Sequence, residues 1–151
     1  MTAPDPIILG WREWAELPAL SLAPLAAKLD TGARSCALHA RVLETFERQG
    51  APWIRFLALP GAKQGERLLE APVADRRGIR SSNGEQQFRY LIHTSLRLGE
   101  REAQVELSLA RRHRLRHPLL IGRTALQALG VYVDAGHEHR LAPPADPASD
   151  R

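Results

Sequence analysis

From Phe88 onward the apolar residues fall at every second position. Tyr90, Ile92, Leu96 and Leu98 precede Gly99, and Val105, Leu107 and Leu109 follow it, with polar residues between them. A period of two belongs to a strand with one buried face, so the pattern predicts two strands paired across the Gly99 turn. The preceding chain breaks into short apolar runs at 25–29, 36–43, 53–59 and 67–73, separated by Gly, Pro, Asn or charged clusters. These read as further strands. Ser81-Ser82-Asn83-Gly84, within 79–89, predicts a projecting hairpin, because Asn-Gly suits the two-residue turn that matches strand twist. One helix is expected at 124–129, stopped by Gly130, with extended structure resuming at 131–133. Many short strands and one late helix indicate a mainly β fold, a barrel or sandwich-like domain with a single short C-terminal helix.

A chain of 151 residues that is 44% hydrophobic suits one domain, large enough to bury roughly 70% of its unfolded surface. That domain is expected over residues 1–141, with 142–151, rich in proline, small residues and acids, as a disordered tail. No apolar run approaches the length of a membrane helix, and no basic segment followed by an apolar core marks secretion, so the expected compartment is the cytoplasm. The single cysteine, Cys36, excludes an intrachain disulfide framework and four-cysteine metal sites. Positive charge is carried by 19 Arg against 2 Lys, with 17 acids, giving a formal charge of +4. Guanidinium binds carboxylate or phosphate in a planar, bidentate way, so an acidic peptide and a nucleic acid are both conceivable partners.

The sharpest local feature is the apolar run that ends in Asp30-Thr31-Gly32-Ala33. By itself it could be a turn after a strand. Far downstream, Leu119-Leu120-Ile121-Gly122-Arg123 is a second apolar run, leading directly into the expected helix. An Asp-Thr-Gly-Ala strand end, an Asn-Gly hairpin and an apolar-Gly run, in that order, resemble the parts of retropepsin-like aspartic peptidases.

The likeness extends to particular segments. Gly10-Trp11-Arg12-Glu13-Trp14, the stretch from Ala27 to Ala40, Arg80-Ser81-Ser82-Asn83-Gly84-Glu85 and Leu120-Ile121-Gly122-Arg123-Thr124-Ala125-Leu126 resemble the signature segments of a bacterial family labelled ATP-dependent zinc proteases. The resemblance implies a closed retropepsin-like (acid protease) β-barrel in which Asp30, Thr31 and Gly32 form the catalytic motif. It implies substrate contacts from Ala33, Arg34 and Arg80 and from a flap tip of Ser81, Ser82, Asn83 and Gly84. Some members are encoded beside ATP-grasp glutamate ligases, which makes such a ligase system an expected partner.

The chemistry of Asp30 has a requirement of its own. An aspartic peptidase needs two carboxylates sharing one proton, and this chain supplies one such motif. Asp134-Ala135-Gly136 lacks the threonine and lies after the Gly-Arg segment, so it reads as a strand-end turn. The second carboxylate must then come from a second copy, a homodimer with Asp30 of each subunit at the two-fold axis. By resemblance Thr31 would hydrogen-bond across that axis, and Gly32 would permit close backbone approach. The expected activity is an aspartic endopeptidase, with Arg34 and Arg80 favouring acidic, glutamate-rich peptides unless they pair internally with Asp75 or Glu85.

The zinc and ATP of the family label are not expected as cofactors. His137-Glu138-His139 is followed by Leu141 where a zinc-peptidase helix needs its second histidine, and no Walker loop occurs. His113 and His117 sit among arginines that would oppose a cation. A cysteine peptidase using Cys36 and His39 is disfavoured, because residues three apart on a strand face opposite ways. Two other classes remain open. One is a non-catalytic peptide-binding or regulatory module with the acid-protease fold. The other is an RNA-binding β-barrel, against which the eight aromatics, none alternating with the Arg-rich stretch, count.

Overall fold

The computed structural model describes residues 5–61, 64–80, 84–111 and 117–142, the side chains at 23, 79, 80 and 87 excepted. Among these residues eleven strands and one α-helix follow in the order β1 (Ile7–Gly10), β2 (Arg12–Leu17), β3 (Leu22–Leu29), β4 (Cys36–Arg48), β5 (Ala51–Ala58), β6 (Arg67–Pro72), β7 (Asp75–Arg80), β8 (Gln86–Leu98), β9 (Arg101–Ala110), β10 (Leu119–Ile121), α1 (Arg123–Leu129) and β11 (Val131–Asp134), with a single 3-10 turn at Pro18–Leu20. The tail from 143 onward and the hairpin tip Ser81, Ser82 and Asn83 lie outside the described residues.

Six strands close a barrel in the order β10-β3-β2-β8-β9-β4, with β10 pairing back onto β4. This is a retropepsin-like barrel with one short helix, as expected. The longest pairing is the predicted one, β8 against β9 from Tyr90↔Leu109 to Leu98↔Arg101, turned by Gly99 at φ +62°. Alternation puts Ile92, Leu96, Leu98 and Leu107 into the barrel, where they meet Leu17, Leu22, Leu25, Leu38, Leu119 and Ile121, all fully buried. β4 outruns the barrel, and its second half carries β5 and then β6 as an antiparallel wing. On the wing Arg55 bridges Glu44 and Glu70, while Arg48 lies 4.2 Å over the Trp53 ring. The two arginines hold the Glu70 carboxyl below its ordinary range by hydrogen bonding to it.

Helix α1 buries Ala125, Leu126 and Leu129, and Gly130 at φ +70° ends it as expected. It begins one residue earlier than the sequence pattern predicts. No helix among the described residues is long and apolar enough to cross a membrane.

β2 is a strand that the pattern did not announce. Its inward positions are Glu13, Ala15 and Leu17, so a carboxylate occupies a core-facing site. Glu13 is completely buried, yet it accepts hydrogen bonds from the backbone N–H groups of Gly10 at 2.7 Å, Arg140 at 2.8 Å and Leu141 at 3.1 Å. A buried carboxylate is tolerated when backbone donors satisfy it in this way. The clasp fastens the C-terminal segment to β2, beside the two-stranded parallel pair of β1 and β11.

Short strand β10 is inserted between β3, to which it is parallel, and β4, to which it is antiparallel. Such close insertion leaves no room for a side chain where β10 ends: a Cβ on Gly122 would stand 2.5 Å from the Ser35 carbonyl oxygen.

Two variants test this account of the fold. Glu13→Ala strands one buried and two partly buried donors and is expected to lower unfolding free energy by about 2–4 kcal/mol in urea titration; an unchanged midpoint would remove the clasp from the account. Gly122→Ala forces β10 away from Ser35 at a cost of about 1–3 kcal/mol, and a fully stable variant would contradict the close approach.

Candidate active site

The loop joining β3 to β4 carries Asp30, and its geometry is set by both flanking strands and by β10. The Asp30 N–H donates to the Ile121 carbonyl at 2.8 Å, and the Leu29 N–H donates to the Trp11 carbonyl at 2.8 Å. Within the loop, Asp30 Oδ1 accepts the Gly32 N–H at 2.9 Å and the Asp30 carbonyl accepts the Ala33 N–H at 3.2 Å. An aspartate that binds the backbone two residues on is the side chain's own way of making a turn. A methyl group at position 32 would press on Asp30 Oδ1 at 3.2 Å, so glycine there keeps the carboxylate uncrowded.

The far side of the loop is held by the start of α1. The Ala33 carbonyl accepts the Arg123 N–H at 2.8 Å, and the Arg34 carbonyl accepts both the Thr124 N–H at 3.1 Å and the Thr124 hydroxyl at 2.7 Å. Asp30 is half-buried, whereas Thr31, Gly32 and Arg34 are exposed. The two motifs singled out in the sequence are thus in direct contact.

Two cavities adjoin the loop. One, of about 300 Å³, lies between Arg34, Ser35, Thr124 and the β9 residues Gln104 and Glu106. The other, of about 330 Å³, is walled by Ala33, Arg34 and Ala37 on the barrel side and by Arg77, Gly78 and Arg89 of β7 and β8. Asp30 lines neither. β7 and β8 form the predicted hairpin, from Asp75↔Leu91 to Arg80↔Gln86, with Gly84 at φ +86° beyond it. The Arg80 backbone belongs to this hairpin, but its side chain lies outside the described residues.

Sequence reasoning missed Arg77, Arg89 and Ser108. They converge on the second cavity only through strand register, which no local motif announces. Of the internal pairings left open, that of Arg34 with Asp75 is not formed, since Asp75 binds Arg77 at 3.1 Å, and a pairing of Arg80 falls outside the described side chains.

Other candidates resolve into structural roles. Cys36 is buried on β4, and burial pushes its thiol pKa up, only partly offset by a hydrogen bond from the Gly122 backbone. His39 lies on the same strand. Asp134 ends β11 in a turn, accepting the Gly136 N–H at 2.9 Å and contacting His137 Nδ1 at 2.6 Å, and these partners hold its carboxyl below the usual range. His139 stacks on Trp14 with ring centroids 5.1 Å apart. His117 is half-buried edge-on to Trp11 rather than at the surface, and His113 lies outside the described residues. Among the described residues no three His, Cys, Asp or Glu side chains gather as a metal-binding set.

Comparison with known proteins agrees with this fold. A solved structure from Legionella pneumophila, of a protein of unknown function, superposes with a TM-score of 0.73 at 30% identity, covering 88% of this chain and 96% of that one. A protein of Shewanella pealeana named as a probable alpha-L-glutamate ligase is 39% identical over 121 residues, which is 79% of this chain and 26% of that protein. A protein of the same name from Parasynechococcus marenigrum is 37% identical over 139 residues, 89% of this chain and 29% of that protein. The chain therefore spans between a quarter and a third of the length of these relatives. The family model described as retropepsin-like aspartic endopeptidase RimB matches residues 8–142, and the chain belongs to this RimB-like family.

Proposed function

We propose that the protein is an aspartic endopeptidase that acts on acidic, glutamate-rich peptides as a homodimer. The observation that carries this reading is the pinned loop: Asp30 stands half-buried at a strand end, flanked by exposed Thr31 and Gly32, with its carboxylate oriented by the Gly32 N–H. One carboxylate cannot serve as both base and acid to the same peptide carbonyl. The other Asp-small-Gly element, at Asp134, already binds Gly136 and His137. A second copy related by a two-fold axis supplies the missing partner, and Thr31 of each chain supports the pair across that axis.

In this arrangement one Asp30 is ionised and the other protonated. The ionised carboxylate takes a proton from water as the water oxygen bonds to the carbonyl carbon, and the protonated one gives its proton to the carbonyl oxygen. Collapse of the tetrahedral intermediate breaks the C–N bond, with a proton delivered to the leaving nitrogen. The two apparent pKa values belong to the pair, not to either residue. The β7–β8 hairpin covers a bound extended peptide and excludes water.

Arg34 supports the acidic preference, since it has no acidic partner among the described residues and lies in the walls of both cavities. Arg80, Ser81, Ser82, Asn83 and Gly84 complete the substrate contacts in this reading. The ligase names of the relatives support it too, because a protein operating beside a glutamate ligase meets polypeptides rich in glutamate. A cytoplasmic site of action follows from the same partnership. A second reading, a peptide-binding module without turnover, draws on the absence of Asp30 from both cavity walls.

Cleavage assays distinguish the two. The protein is expected to cut glutamate-rich peptides faster than glutamine-matched ones, to be blocked by an aspartic-peptidase inhibitor and to be indifferent to chelator. Asp30→Asn should reduce turnover by about 10²–10⁴-fold while sparing peptide affinity. Undiminished cleavage by that variant, or loss of cleavage on chelation, would overturn the assignment.

A further inference from the structure

We propose that the 330 Å³ cavity is a carboxylate-receiving pocket that ties the β7–β8 hairpin to the barrel when a substrate side chain fills it, read by Arg89 and the Ser108 hydroxyl. The inference rests on the acidic-peptide reading above and assigns it to particular groups.

Strand register places Arg77 directly opposite Arg89. Like charges facing each other across a strand pair are unfavourable unless something compensates them. Arg77 is compensated, by Asp75 at 3.1 Å and Glu106 at 2.9 Å. Arg89 has no ion pair or hydrogen bond among the described residues, although its neighbour across the hairpin is cationic.

The adjacent strand supplies a matching anomaly. Ser108, on β9 opposite Leu91, is 7% exposed, and its Oγ finds no hydrogen-bond partner among the described residues. A buried hydroxyl left unpaired is destabilising, and such groups are found where a ligand completes them. Ser108 and Arg89 line the same cavity, together with the apolar Ala37 and Leu120 and the exposed Arg34. A carboxylate there accepts the Ser108 O–H with one oxygen and the Arg89 guanidinium with the other, and its methylenes lie on Ala37 and Leu120. Ser108, Ala37 and Leu120 belong to the barrel, whereas Arg77 lies on β7 and Arg89 on the first stretch of β8, which pairs with β7 before the β9 pairing begins at Tyr90. The carboxylate therefore links barrel and hairpin, and substrate charge becomes the fastening of the hairpin.

The test uses the Asp30→Asn protein, so that hydrolysis does not intervene, with capped tetraglutamate and capped tetraglutamine peptides, whose ends carry no carboxylate. Tetraglutamate should bind more tightly than tetraglutamine and slow amide exchange in residues 75–80 and 86–91. Adding Arg89→Gln or Ser108→Ala should weaken tetraglutamate binding by about tenfold each and leave tetraglutamine binding unchanged. Ser108→Ala should also keep or raise thermal stability, since it removes an unpaired buried hydroxyl. Tetraglutamate affinity unchanged in both variants, or hairpin exchange unaffected by the peptide, would overturn the pocket. If the unsubstituted protein cleaves acidic peptides while both variants bind normally, the pocket fails and the peptidase reading stands. If the binding pattern holds without cleavage by the unsubstituted protein, the peptidase reading fails and the pocket stands.

Discussion

The contact between Gly122 and the backbone of Ser35 governs the arrangement of this molecule. β10 can lie between β3 and β4 only because no side chain intervenes where it leaves the barrel. From that insertion follow the Asp30–Ile121 hydrogen bond and the donors that Arg123 and Thr124 present to the loop. The same insertion brings the Gly122 backbone to Cys36, whose thiol is buried and pushed toward its neutral form. A thiol in that state is a packing group and not a nucleophile. In the proposed function the carboxylate, not the sulfur, is what the loop offers to a ligand.

Charge is distributed to the same end. Arg48, Arg55, Arg77 and Arg97 each engage one or more acids, so most of their charge is spent locally on the wing and the barrel wall. Arg34 and Arg89 have no acidic partner among the described residues, and both line the cavity beside the Asp30 loop. A modest net charge thus coexists with a local field suited to a carboxylate, because guanidinium fits that group in a planar, forked geometry. The hairpin that bears Arg89 carries the charge over the barrel face.

What the sequence disclosed depended on whether a signal was local. The β8–β9 pair was legible because alternation and the Gly99 turn coincide, and α1 because Gly130 marks its end. Asp30 and Gly122 were legible as motifs. β2 was not, because Glu13 occupies an inward position, and a carboxylate there breaks the apolar period that betrays a strand; the backbone donors of Gly10, Arg140 and Leu141 make it tolerable. β1, four residues long and paired in parallel, offers too little period to detect, whereas β11 was legible as the extended stretch after Gly130. Arg89 and Ser108 were invisible as a pair, since they meet through the register of three strands and not through spacing along the chain.

The central claim is that catalysis needs one Asp30 from each of two chains. Mixing the unsubstituted protein with Asp30→Asn protein under conditions that exchange subunits, at constant total concentration, measures this directly on an acidic peptide. Activity should follow the square of the unsubstituted fraction, because mixed pairs lack one carboxylate. A strictly linear dependence would mean that each chain works alone and would contradict the account.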